Sequence, residues 1–97
     1  MEEQSRILII EDDLDVAEML EAYFNVQGYN VATANWGEDA VKTSQLQPPD
    51  LIILDIRLPD IDGYEVARRL RNNRRTENIP IIFLTEKRTR ADRLQGA

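Results

Sequence analysis

The stretch "LIILDIRLPDIDGYEV", residues 51–66, carries both a fold signal and a chemical one. Leu51, Ile52, Ile53 and Leu54 run straight into Asp55, and a second acid, Asp62, stands just before Gly63. A short, continuous apolar run bounded by turn residues is the pattern of a strand buried on both faces, as in a parallel sheet. Nothing in strand formation requires an aspartate at its end, so Asp55 calls for another explanation. Asp62 suits the N-cap of a following helix, with Val66, Ala67 and Leu70 as its inner face and the arginines outside.

Reading outward, "RILII" (6–10), "NVATA" (30–34), "DLIIL" (50–54) and "IPIIFLT" (79–85) are predicted strands. The first, third and fourth are almost continuously apolar and β-branched, as expected of strands buried on both faces. The second has fewer large residues and reads as an edge. Val16, Met19, Leu20, Tyr23 and Phe24 fall on one face of an amphipathic helix that ends near Gly28. "GEDAVKTSQLQ" (37–47) predicts a second helix facing inward through Ala40, Val41 and Ser44, and "PPD" (48–50) stops it. A last helical segment is expected from near Arg88. Alternation of strand and helix predicts an α/β fold with a parallel sheet, right-handed crossovers and helices on both faces. Ligands of such folds sit at the carboxyl ends of the strands, where the strand order reverses.

Composition narrows the chemistry. The chain has 97 residues, enough for one domain, with 42% hydrophobic and 31% charged residues, as in ordinary soluble proteins. Eighteen acids against twelve bases give a net charge of -6, which disfavours direct contact with nucleic acid or an anionic membrane. Without Cys or His, disulfides, thiol nucleophiles, imidazole bases and the usual zinc sites are excluded, so any metal is held by oxygen. No signal pattern and no apolar run long enough to span a bilayer is seen, and a cytoplasmic location is expected.

The strand ends supply the oxygen. The first strand leads into Glu11, Asp12 and Asp13, the third into Asp55, and the fourth into Thr85. If the first and third strands are neighbours, Glu11, Asp12 and Asp55 converge, and clustered carboxylates repel unless a cation neutralises them. Mg2+ takes one or two carboxylates and leaves positions for water, a carbonyl and phosphate oxygens, as a phosphoryl-transfer site requires. A rigidly held Asp55 can then be the nucleophile, forming an acyl phosphate. Thr85 is placed to donate a hydroxyl hydrogen bond to the phosphoryl group. Asp13 reads as a helix cap, Trp36 as a partly buried packing residue, and Arg68, Arg69, Arg71, Arg74 and Arg75 as a solvated helix face.

"ILIIEDD", "LIILDIRLPDIDGYEV" and "IPIIFLTE", with their intervals, resemble the receiver domain of two-component response regulators. The resemblance implies the CheY-like form of the flavodoxin-like fold, with strand order 2-1-3-4. It implies Asp55 as the phosphoacceptor of a sensor histidine kinase, with slow autodephosphorylation, and Asp12 as a direct Mg2+ ligand. Glu11 is implied to act through water, Arg57 through its backbone carbonyl, and Thr85 as the switch hydroxyl. Pro59, Asp62 and Gly63 match the loop after the phosphoacceptor.

Two departures stand out. Glu86 follows Thr85 where the family has a small residue, and its charge is expected to narrow access or slow transfer. Family members also continue to a fifth strand ending in a lysine and to a fifth helix, so residues 1–97 are expected to be an incomplete receiver whose parent carries an output domain. A phosphohydrolase of the haloacid-dehalogenase type also uses an aspartate nucleophile, but it wants an acid where Arg57 stands. A receiver-like interaction module, assembling through an exposed fourth strand without phosphotransfer, is the other reading.

Overall fold

The computed structural model describes residues 4–84. In chain order these form β1 (Arg6–Ile10), α1 (Leu14–Val26), β2 (Asn30–Ala34), α2 (Gly37–Leu46), β3 (Leu51–Asp55), α3 (Gly63–Arg71) and β4 (Ile81–Leu84). All strand pairs are parallel, in the order β2-β1-β3-β4. The expected strands, helices and order are therefore present, and the expectation from Arg88 onward lies outside the described residues.

Side-chain alternation divides the core into two layers. Leu8, Ile10, Ile52 and Leu54 face α2 and α3, meeting Ala40, Val41, Val66 and Leu70. Ile7, Ile9 and Ile53 face the other way and meet Leu20 and Phe24 of α1. Ile9, Ile10, Ile52, Leu54, Val66 and Leu70 are fully enclosed, each contributing about 1.5–3 kcal/mol of hydrophobic burial. β2 is an edge, as expected.

Three expectations from the sequence fail in detail. Met19 and Tyr23 are exposed, at 61% and 58%, because α1 meets the sheet through Ala17, Leu20 and Phe24, and a turn of 3.6 residues carries Met19 and Tyr23 onto its flank. β4 is not buried on both faces. Ile82 and Phe83 are 53% and 40% exposed, because β4 has no strand on its outer side among the described residues. Trp36 is 51% exposed rather than packed, since it stands at the N-cap of α2 on the rim of the sheet.

The arginines do more than solvate a helix face. Arg71 donates to the carbonyls of Glu77 and Ile79, and Arg75 to those of Gln45 and Leu46 at the end of α2. Arg69 links the helices, donating to Glu65 at 2.9 Å on its own helix and to Glu38 of α2 at 3.1 Å. Arg68 joins Glu65 through two hydrogen bonds of 2.9 and 2.6 Å. Hydrogen bonds from Arg68 and then Arg69 hold the Glu65 carboxyl down at about 2.

This cluster predicts a pH signature. A depressed folded-state pKa gives stability that is fully present above the unfolded value of about 4.3 and is lost as pH falls through the folded one. The stability gap between the parent and Glu65→Gln should therefore stay level near neutrality, then close as the pH drops from the ordinary carboxylate range toward 2. Denaturant midpoints across that range, at low salt because the groups face solvent, will show it. A gap that stays level down to the acid end would count against the cluster.

Candidate functional site

The parallel pairing of β1 with β3 sets Ile10 beside Leu54, so the residues that follow, Glu11 and Asp55, emerge side by side. Glu11 and Asp55 are buried, at 0% and 1% exposure, while Asp12 is exposed. Carboxylate oxygens of Glu11, Asp12 and Asp55 lie within 4.8 Å of one another. The strand order reverses between β1 and β3, which is where open α/β sheets bind ligands. Sequence reasoning thus placed these three acids together, and the structure brings them together. Thr85 lies outside the described residues, as does Glu86, although β4 pairs so that Leu84 sits beside Asp55.

The loop after Asp55 is closed tightly. The Arg57 N–H donates to Asp55 Oδ1 at 3.3 Å, and the Gly63 N–H donates to the Ile56 carbonyl at 2.7 Å. A Cβ on Gly63 would lie 2.8 Å from Ile56 Cα and closer still to the Asp55 carbonyl oxygen. Gly63 is required for this close approach of backbone to backbone, whereas Gly28 at the end of α1 is required for its positive φ of 99°. Asp62 caps α3 by accepting from the Glu65 N–H at 2.9 Å, as the sequence implied. Asp13 caps α1 by accepting from the N–H groups of Asp15 and Val16, also as expected.

Two polar residues of this rim went unread in the sequence. Asn35, after β2, donates its Nδ2 hydrogen to the Glu11 carbonyl at 2.9 Å. Asp60 accepts from the Gly37 N–H and the Glu38 N–H, both at 2.8 Å, and so supplies the cap that Trp36 does not give α2. Partial desolvation pushes the Asp60 carboxyl up, but the Glu38 and Gly37 N–H groups together hold it below its ordinary value. The sequence hides this cap because its two halves stand 23 residues apart.

The chemistry of the donor set is plain. Three carboxylates and neighbouring backbone carbonyls, with no nitrogen or sulfur ligand, suit a hard divalent cation that keeps open positions. Beside the acids lies an open depression of about 370 Å³ lined by Asp12, Leu14, Asn35, Trp36 and Pro59, so the site communicates with solvent.

The model of the response regulator receiver domain matches residues 7–97. The chain belongs to this family. Receiver domains are regulatory modules of two-component systems, and the chain has their CheY-like flavodoxin fold. It is 48% identical over 90 residues to the transcriptional regulatory protein AfsQ1 of Streptomyces coelicolor, covering 93% of this chain and 39% of that protein. The chain thus spans about two fifths of the length of this relative. The receiver domain of the sensor histidine kinase PA1611 from Pseudomonas aeruginosa, solved with a magnesium ion in its active site cleft, superposes with a TM-score of 0.84 at 34% identity, covering 98% of this chain and 80% of that one. The chemotaxis response regulator CheY4 of Vibrio cholerae also gives 0.84, at 26% identity, covering 97% and 78%.

The contact at Gly63 can be tested directly in this receiver domain. Gly63→Ala should cost about 1–3 kcal/mol, because the atoms in the way are backbone and cannot swing aside. Urea unfolding checks this, and an alanine variant as stable as the parent would show that the start of α3 moves freely.

Proposed function

We propose that this receiver domain accepts a phosphoryl group on Asp55 from a sensor histidine kinase, at a Mg2+ site formed by Asp12, Asp55, Glu11 through water, and the backbone carbonyl of Arg57. The observation that carries the reading is the convergence of the three carboxylates within 4.8 Å at the switch point, with Asp55 fixed on a buried strand end. Mg2+, when bound, supplies positive charge for the incoming phosphoryl oxygens. The donor set fits it, and the similar PA1611 receiver was solved with magnesium in its cleft.

In the transfer, an oxygen of the Asp55 carboxylate forms a bond to phosphorus as the phosphorus–nitrogen bond of phosphohistidine breaks. The electron pair of that bond returns to the imidazole, which leaves neutral when its other nitrogen carries a proton. β3 holds Asp55 in place, and the Arg57 N–H at 3.3 Å restricts the rotation of its carboxylate. Thr85, next in sequence after Leu84, provides the switch hydroxyl in this reading. The activity is regulatory: the acyl phosphate persists, is lost slowly by hydrolysis, and is read by an output domain in a longer cytoplasmic parent. Incubation with acetyl phosphate and Mg2+, read by intact mass, should add one phosphoryl group to the parent and none to Asp55→Asn. Chelation of the metal should abolish the adduct. An adduct that persists on Asp55→Asn would overturn the assignment.

A second reading rests on β4. Its outer edge has no partner strand among the described residues, and Ile82 and Phe83 are exposed beside it. Such an edge is a template for pairing with another chain, and self-association through it is compatible with phosphorylation or can replace it. Light scattering should then give a mass above the monomer's at high concentration, and a strictly monomeric mass would remove this reading.

A further inference from the structure

Two segments carry the acids of the site, β1 with its exit at Glu11 and the loop from Ile56 to Asp62 that leaves Asp55. A third segment, which carries none of them, ties these two together. Asn35 donates to the Glu11 carbonyl at 2.9 Å, and two residues on, the Gly37 and Glu38 N–H groups donate to the Asp60 carboxylate at 2.8 Å each. Residues 35–38 are therefore a brace across the site, fastened at one end to β1 and at the other to the loop.

The loop depends on that fastening. Its ends are fixed by the Arg57 N–H on Asp55 and the Gly63 N–H on Ile56. Leu58 and Ile61 pack on the core, but an apolar contact sets a side chain's depth more than its direction. Asp60, between them in sequence and three residues beyond Arg57, is a charged acceptor of two directional bonds from the backbone N–H groups at the positive end of a helix. The fit is close, since a Cβ on Gly37 would lie 2.5 Å from Ile61 Cγ1 and 3.2 Å from Asp60 Oδ1.

We propose that Asp60 is a positioning residue for the Mg2+ site, holding the loop against the N-terminus of α2 so that the Arg57 carbonyl and Asp55 present their oxygens in one geometry. This rests on the Mg2+ reading above. Mg2+ demands near-ideal octahedral geometry, and a loop that samples several arrangements binds it more weakly in proportion to the time spent in the competent one. If Asp60 only caps α2, its loss lowers stability and leaves the metal affinity alone.

Calorimetric titration of Mg2+ into folded protein separates the two. Asp60→Ala should bind Mg2+ about tenfold more weakly than the parent, the scale seen when a residue supporting a metal ligand is removed. Asp60→Asn keeps an acceptor oxygen and should fall between. The control is Thr76→Val, which removes the hydrogen bond of a buried hydroxyl to the Leu70 carbonyl at the far end of α3 and should destabilise the fold without changing the affinity. In the parent, Mg2+ should slow hydrogen exchange at the Gly37 and Glu38 amides, and in Asp60→Ala it should not. Parent-like Mg2+ affinity in Asp60→Ala, or an equal loss in Thr76→Val, overturns the role of Asp60 and leaves the metal site standing. A parent that does not bind Mg2+ overturns both.

Discussion

The parallel pairing of β1 with β3 is the constraint on which the candidate site depends. Ile10 sits beside Leu54 because both side chains enter the same layer, against α2 and α3. A slip of one residue would move every side chain of β1 to the opposite face and place Ile10 and Leu8 among the contacts of α1, so core packing fixes the register. That register brings Glu11 and Asp55 together at the rim. The hydrophobic layers thus determine the position of the carboxylates without touching them.

A rim so rich in acid needs compensation, and the topology supplies part of it. Every crossover helix starts where the preceding strand ends, so α1, α2 and α3 all point their N-termini at this rim. Each terminus presents backbone N–H groups and a partial positive charge. Asp13, Asp60 and Asp62 take up those of α1, α2 and α3 in turn. The Asp13 N–H is directed at Glu11 Oε2 at 2.9 Å, and the Arg57 N–H at Asp55. The capping acids are thereby engaged at helix ends, while carboxylate oxygens of Glu11, Asp12 and Asp55 converge within 4.8 Å of one another. Division of one acidic rim into caps and a cluster follows from which acids can reach a helix end.

Legibility in the sequence follows the range of each interaction. Asp13 and Asp62 cap helices that begin at the next residue, and period and position sufficed to read them. The strands and their terminal acids were legible as local patterns, while the strand order, and with it the convergence of Glu11, Asp12 and Asp55, was legible through the resemblance to receiver domains. The roles of Asn35 and Asp60 were not, because each bonds to a segment more than twenty residues away and neither sits in a periodic pattern. Arg71 and Arg75 looked like surface charge for a different reason, since the groups they hold are backbone carbonyls of loops and of the end of α2, which no side-chain pattern marks. Met19 and Tyr23 misled for another cause. An apolar stripe on a helix shows what can be buried, and the area of sheet facing it determines what is.

The same topology separates chemistry from association. Asp55 stands on a strand flanked by β1 on one side and β4 on the other, so its backbone is held from both directions. Glu11 continues a strand with β2 and β3 as neighbours, and its N–H donates to the Ala34 carbonyl at 3.0 Å. Neither position relies on what lies against the outer edge of β4. Whatever covers Ile82 and Phe83 acts on the acids through β4, whose Leu84 is the residue paired with Asp55. A partner at that edge therefore meets the site at one pairing, while the brace at residues 35–38 meets it from the opposite side. The carboxylates sit between these two supports, β4 on one side and residues 35–38 on the other.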